Sequence, residues 1–232
     1  MKKLRQLSAF WALALFAVSC TDDGPEIPFG EFEKGVLIIN EGAFGANDGE
    51  IYHYDPASGE IKNDIFESKN GRPFAGLIQD LAEAEGRMYL VANTGKVEVV
   101  DPKDFSSLGA VDADLNISRS IAVANQKLYI SDWGPYDGNF NSPESYVAVV
   151  NGLNGGIVSK KIPVPSQPEG LIVAGNYLYV ACAAAKKLQV ISLSTDAVTS
   201  SQDVEGTPSK LKVIDGRLYL FARDAGYIYF HE

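Results

Sequence analysis

Four short runs decide the fold of this chain: Arg87-Met88-Tyr89-Leu90-Val91, Lys127-Leu128-Tyr129-Ile130, Tyr177-Leu178-Tyr179-Val180 and Arg217-Leu218-Tyr219-Leu220. Each is apolar, aromatic and short, as strands are. Each follows a two-residue hairpin turn, respectively Glu85-Gly86, Asn125-Gln126, Gly175-Asn176 and Asp215-Gly216. The tyrosines Tyr89, Tyr129, Tyr179 and Tyr219 stand 40, 50 and 40 residues apart. A period of about 40 to 50 residues carrying about four strands is the sequence signature of β-propeller blades.

Working outward from the third run gives one whole blade. Gly170 to Ala174 is the innermost strand a, Tyr177 to Ala181 strand b, Leu188 to Ser192 strand c and Ala197 to Val204 strand d. Leu77 to Val111 and Ser120 to Ile162 align as two more blades, and Lys210 to Phe230 as an incomplete last one. Ahead of them Val36 to Asn40, Ile51 to Asp55 and Ile61 to Phe66 read as strands b, c and d of a first blade without its own strand a. From residue 36 onward no 3.6-residue periodicity competes with this, so the expected class is an all-β propeller of four-stranded antiparallel blades. Rings close with roughly 4 to 8 blades. Three full and two partial blades therefore predict an incomplete ring truncated at the C-terminus, the alternative being a five-bladed ring sealed by its termini.

Composition narrows the function. The 232 residues are 46% hydrophobic and 22% charged, which suits a packed core rather than a disordered chain. A net charge of -10 argues against holding nucleic acid. Two cysteines, Cys20 and Cys182, and two histidines, His53 and His231, supply neither a disulfide framework nor a four-thiolate or His-rich metal centre. The chain has no G-x-S-x-G, no H-E-x-x-H and no phosphate-cradling glycine loop before a helix, and Cys182 reads as a small buried thiol. The expectation is a binder rather than an enzyme, needing no cofactor.

The beginning of the chain reads as an address. Lys2, Lys3 and Arg5 precede the apolar run Leu7 to Val18, which is too short to span a bilayer as a helix. The run ends in Ala17-Val18-Ser19-Cys20, which resembles the lipobox of bacterial lipoproteins. This implies a signal peptide over 1–19, lipid attachment at Cys20, a flexible tether over 20–34 and a propeller domain over 35–232; the acidic residues directly behind Cys20 resemble the surface-export signal of Bacteroidota lipoproteins, which implies an outer-membrane anchor facing outward. The alternative is an ordinary cleaved signal with Cys20 merely nearby. The acidic, proline-containing stretch Thr21 to Pro28 suits a solvated tether.

Loop length separates the two faces of the ring. The a-b and c-d turns are minimal, whereas Gly42 to Gly49, Glu67 to Gly76, Asp112 to Arg119 and the insertion Trp133 to Ser145 all fall on the opposite face. Long loops on a rigid scaffold are where binding residues gather. Trp133, Tyr136 and Phe140 are expected to stack on a ligand, and Asp137 and Asn139 to hydrogen-bond it. Gln79, Asp80, Arg119 and Glu169, which open the innermost strands, are expected to orient it, with Lys210 beside them. Two plainer readings stand beside these: the aromatics pack on a neighbouring blade, and the charges pair with one another. Asp137-Gly138-Asn139-Phe140-Asn141 with Glu144 also carries oxygens at alternate positions, as a calcium loop does, although Ser142 replaces the glycine that an EF-hand turn requires.

Gly35-Val36-Leu37-Ile38-Ile39-Asn40-Glu41-Gly42-Ala43-Phe44-Gly45, then Tyr52 to Asp55, then Asn70-Gly71-Arg72-Pro73, resembles the opening of the surface-exposed YncE-like β-propeller lipoproteins of Bacteroidota. The resemblance implies a ring of seven blades and capture of a small or medium polar ligand at the cell surface. Some members capture cobalamin for TonB-dependent outer-membrane transporters, which makes a corrinoid cargo and such a transporter the implied partners. A propeller enzyme, such as a lyase or metal-dependent lactonase, and a protein-protein adaptor are the alternatives.

Overall fold

The computed structural model describes residues 29–74 and 76–224 and the backbone of 227–231. Residues 1–28, with the expected signal peptide and Cys20, lie outside the described residues. Five antiparallel meanders follow one another along the chain. The first comprises β1 (Val36–Asn40), β2 (Glu50–Tyr54) and β3 (Ile61–Lys62), followed by helix α1 (Ile65–Asn70). The second is β4 (Ile78–Ala84), β5 (Arg87–Ala92), β6 (Lys96–Val100) and β7 (Ser107–Val111). The third is β8 (Ser118–Ala124), β9 (Lys127–Asp132), β10 (Tyr146–Asn151) and β11 (Val158–Pro163). The fourth is β12 (Pro168–Ala174), β13 (Tyr177–Cys182), β14 (Lys187–Ser192) and β15 (Ala197–Asp203). The fifth is β16 (Thr207–Ile214), β17 (Arg217–Asp224) and β18 (Tyr227–His231).

The innermost strands pack in series, β4 on β8, β8 on β12 and β12 on β16. The sheets therefore stand face to face as blades, and the core lies between them. Tyr89, Val91, Val97 and Val99 of the second sheet meet Ile121, Leu128, Ile130 and Ala148 of the third. Tyr129, Val147 and Val149 of the third meet Leu171, Leu178, Val180 and Ile191 of the fourth. A strand covered on both faces has no polar side to show. This is why β5 and β9 are buried from their second residue to their last and read as continuous apolar runs.

Two boundaries differ from expectation. The strand expected over Ile61 to Phe66 ends after Lys62. Asp64 caps α1 instead, its carboxylate accepting the Glu67 N–H at 3.3 Å, and Gly71 closes the helix in the left-handed region at φ 66°. The reason is burial: Ile65 and Phe66 sink against Phe74, Ile78 and Leu90 of the next blade, which a two-faced outer strand could not achieve. The tether expected up to residue 34 also ends sooner. Phe32 lies edge-on to His53 at 5.2 Å and Phe105 at 5.6 Å, and its N–H donates to the Lys103 carbonyl at 3.1 Å. Packed structure thus begins before residue 35.

The Asn70-Gly71-Arg72-Pro73 motif is a clasp between these blades. Asn70 donates to the Phe66 and Phe105 carbonyls and accepts the Ser107 N–H. Arg72 grips Glu98 of β6 with both terminal nitrogens, at 2.6 and 2.8 Å, and Lys96 adds a third contact at 2.8 Å. Glu98 is fully buried; burial alone would raise its proton affinity, but the hydrogen bonds from Arg72 and Lys96 outweigh that and hold it below the ordinary carboxylate value.

Candidate functional site

The same irregularity opens each innermost strand. Register slips between Ile78 and Asp80, between Ser118 and Ser120, between Pro168 and Leu171, and between Pro208 and Lys210. The residues left without a ladder partner are Gln79, Arg119, Glu169 with Gly170, and Ser209. A bulge bends its strand and re-aims the extra side chain. Gln79, Arg119, Glu169 and Ser209 are themselves 40, 50 and 40 residues apart, so one backbone device is repeated four times with four different side chains.

These bulges converge. A cavity of about 290 Å³ is lined by Gln79, Asp80, Arg119, Ser120, Glu169, Ser209 and Lys210. A second, of about 400 Å³, adjoins it through Gln79 and Arg119 and adds Glu41, Phe44, Trp133 and Tyr136. The expected orienting residues are therefore brought together, and the tryptophan segment is on their side of the sheets. Arg119 bridges the two spaces: its Nε donates to Glu169 Oε2 at 3.2 Å and its guanidinium lies 4.7 Å over the Trp133 ring. Trp133 meets Tyr136 at 6.3 Å, and Tyr136 meets Phe140 at 6.1 Å. Tyr136 and Phe140 remain 46% and 80% exposed, and Phe44 is 92% exposed. Only Trp133 finds cover, and it finds it under Arg119 of its own sheet.

The rim is held by Asp132, which sequence reasoning missed. Its carboxylate is fully buried and accepts the N–H groups of Asn116, Ile117 and Gly134 and the hydroxyl of Ser118, at 2.8 to 3.1 Å. It therefore ties the 112–119 loop to the base of the aromatic insertion. The backbone N–H of Trp133 donates to the Ile117 carbonyl at 3.0 Å, and the Ser145 hydroxyl closes the insertion on the Trp133 carbonyl at 2.8 Å.

The polar residues of the insertion are engaged within their own loop. Asp137 Oδ1 accepts the backbone N–H groups of Asn139 and Asn141, at 2.8 and 2.9 Å, and these hydrogen bonds hold its carboxyl below the ordinary value. Asp137 shapes the loop, its carboxylate already satisfied by the loop's own amides; Asn139 gives it only a backbone N–H, and neither residue lines these two cavities. Among the described residues no cluster of three or more His, Cys, Asp or Glu is placed to hold a metal ion.

The acidic residues of the first cavity, the funnel between the innermost strands, are likewise committed, and the second, aromatic cavity forms the cleft beside it. Asp80 Oδ2 accepts from the Ser120 hydroxyl at 2.6 Å and the Ile121 N–H at 3.2 Å, and Oδ1 accepts the Leu81 N–H at 3.0 Å. Glu41, also missed, accepts from Gln79 Nε2 at 2.7 Å. Cys182 is fully buried, and burial pushes its thiol up to about 12, as expected of a core residue.

Stacked meanders with a bulge-lined cleft on the long-loop side place the chain among propeller-type repeat proteins. Residues 34–228 match the family described as Domain of unknown function (DUF5074), and the chain belongs to that family. No curated protein matches the sequence. A protein of unknown function from Bacteroides caccae shares the fold at a TM-score of 0.56 and 15% identity, over 84% of this chain and 68% of that one. The computationally designed Ika4 protein is similar at 0.50 and 14% identity, over 67% of this chain and 91% of its own. Kuenenia stuttgartiensis hydrazine synthase is similar at 0.53 and 19% identity, and there the chain spans 45% of the neighbour's length. At these identities the likeness is one of fold.

Proposed function

We propose that this protein is a cell-surface binding propeller, anchored through Cys20 to the outer membrane, that captures a nutrient and passes it to a TonB-dependent transporter. The observation that carries the binding role is the joined funnel and cleft, with Arg119 stacked on Trp133 between them and Tyr136 and Phe44 left open to solvent beside it. Exposed rings around a polar mouth suit a ligand with a planar or ring-rich body. A binder rather than a catalyst is supported by the acidic groups: Asp80 has three donors on it and Glu169 is paired with Arg119, so neither stands open as a general base.

The likeness of the opening residues to the YncE-like surface lipoproteins makes a corrinoid the first cargo to test. Titration calorimetry of the full chain with cyanocobalamin and cobinamide should give saturable heat at micromolar concentrations, lost in Trp133→Ala. No response to either removes the vitamin. Incorporation of labelled palmitate, abolished by Cys20→Ser, is the expected sign of the anchor.

A further inference from the structure

The funnel holds two cations with different amounts of unused bonding capacity than its anions. Asp80 is saturated by Ser120, Ile121 and Leu81, and Glu169 is engaged by Arg119. Arg119 spends only its Nε on Glu169; among the described residues its two terminal nitrogens make no hydrogen bond. Its planar face is fixed by Trp133 and its Nε by Glu169, so the open end of the fork is presented without rotational freedom to lose. Lys210, exposed in the same cavity at the start of β16, has no ion-pair or hydrogen-bond partner among the described residues. A fixed guanidinium fork and a free ammonium around one small space are the donor set for an oxyanion.

We infer that the funnel takes an oxyanion group, carboxylate or phosphate, of a ligand whose ring-bearing part lies in the adjoining cleft against Trp133 and Tyr136. This rests on the binding role proposed above and adds the chemistry of the ligand to it. The geometry supports the division: the two cavities share Gln79 and Arg119, so one molecule can occupy both, and the aromatic residues are confined to the outer one.

The test uses two dyes with the same aromatic skeleton, 8-anilinonaphthalene-1-sulfonate, which carries an oxyanion, and N-phenyl-1-naphthylamine, which does not. The chain has two tryptophans, Trp11 and Trp133, so the full chain with Trp11→Phe makes Trp133 the single energy donor. Energy transfer from Trp133 to the sulfonate dye should saturate at a concentration at least about tenfold lower than to the neutral dye, the scale of one charge-assisted contact. Inorganic phosphate should displace the sulfonate dye and spare the neutral one, a measurement that needs no variant. Lys210→Glu should weaken the sulfonate dye by at least about tenfold and leave the neutral dye within about twofold. Equal binding of both dyes, indifferent to phosphate and to Lys210→Glu, overturns the oxyanion assignment and leaves the cleft intact. No energy transfer to either dye overturns the cleft as a binding site and the assignment with it.

Discussion

Replacing Asp132 by asparagine should loosen the rim of the site by an amount the structure fixes. Asp132 Oδ1 takes the Ile117 and Gly134 N–H groups, and Oδ2 takes the Asn116 N–H and the Ser118 hydroxyl. An amide turns one of these oxygens into a donor. With the amide nitrogen on the first side, two backbone N–H groups lose their acceptor; on the second, Asn116 loses its acceptor while the Ser118 hydroxyl can rotate to accept. The cheaper orientation thus strands one buried N–H, which costs about 1–3 kcal/mol. For a domain of this size about 2 kcal/mol corresponds to a fall of roughly 4–8 °C in Tm. Melting followed by circular dichroism on the full chain measures it, and with Trp11→Phe the emission of Trp133 should shift to the red as its loop opens. A Tm within about 2 °C of the parent, which at this domain size means less than about 1 kcal/mol, together with unchanged emission, would refute Asp132 as the anchor.

Three other outcomes are expected. Glu98, held below its ordinary value of 4.5, contributes stability that is complete above that pH and is lost as the pH falls through the lowered value. Denaturant midpoints should therefore decline on the acid side, and Glu98→Gln should flatten that decline while lowering stability at neutral pH. A Cβ at Gly170 would run into the Ser209 carbonyl of the next blade, with the Lys210 Cα only 3.4 Å away. Gly170→Ala should cost about 1–3 kcal/mol in denaturant unfolding, because backbone on both sides must move. In the full chain with Cys20→Ser, which leaves Cys182 the single thiol, a thiol-reactive dye should not label the native state and should react at once in denaturant; prompt native labelling would contradict the burial of Cys182.

The blade pattern was legible because it is carried by local chemistry. Hairpin turns such as Glu85-Gly86 and Asp215-Gly216 fix strand pairs, and the tyrosine spacing counts the blades. The helix after β3 was also written in the chain, in the capping pattern Asp64-Ile65-Phe66-Glu67, but a run of apolar residues beside strands reads as another strand. That Gln79, Asp80, Arg119 and Glu169 come together was legible because they begin innermost strands. That Asp137 turns back on its own loop was not legible, because a carboxylate that accepts its own loop's amides and one that reaches for a ligand have the same composition. Asp132 escaped notice for the same reason: a buried carboxylate at the end of a strand declares its four donors only in three dimensions.

The repeat explains how a symmetric frame carries an asymmetric site. A bulge is a property of backbone pairing, so each of the four innermost strands can keep it while its side chain changes freely. Here it presents an amide at Gln79, a cation at Arg119, an anion at Glu169 and a hydroxyl at Ser209 around one opening. The next residue in the first three of these strands does the opposite work: Asp80 reaches across to Ser120 and Ile121, and Gly170 lets the Ser209 carbonyl approach, so these positions hold blades together. In the fifth sheet that position is Lys210, which has no such partner among the described residues and lines the funnel instead. The one place where the joining position is freed from joining is therefore also where the funnel gains its uncommitted charge.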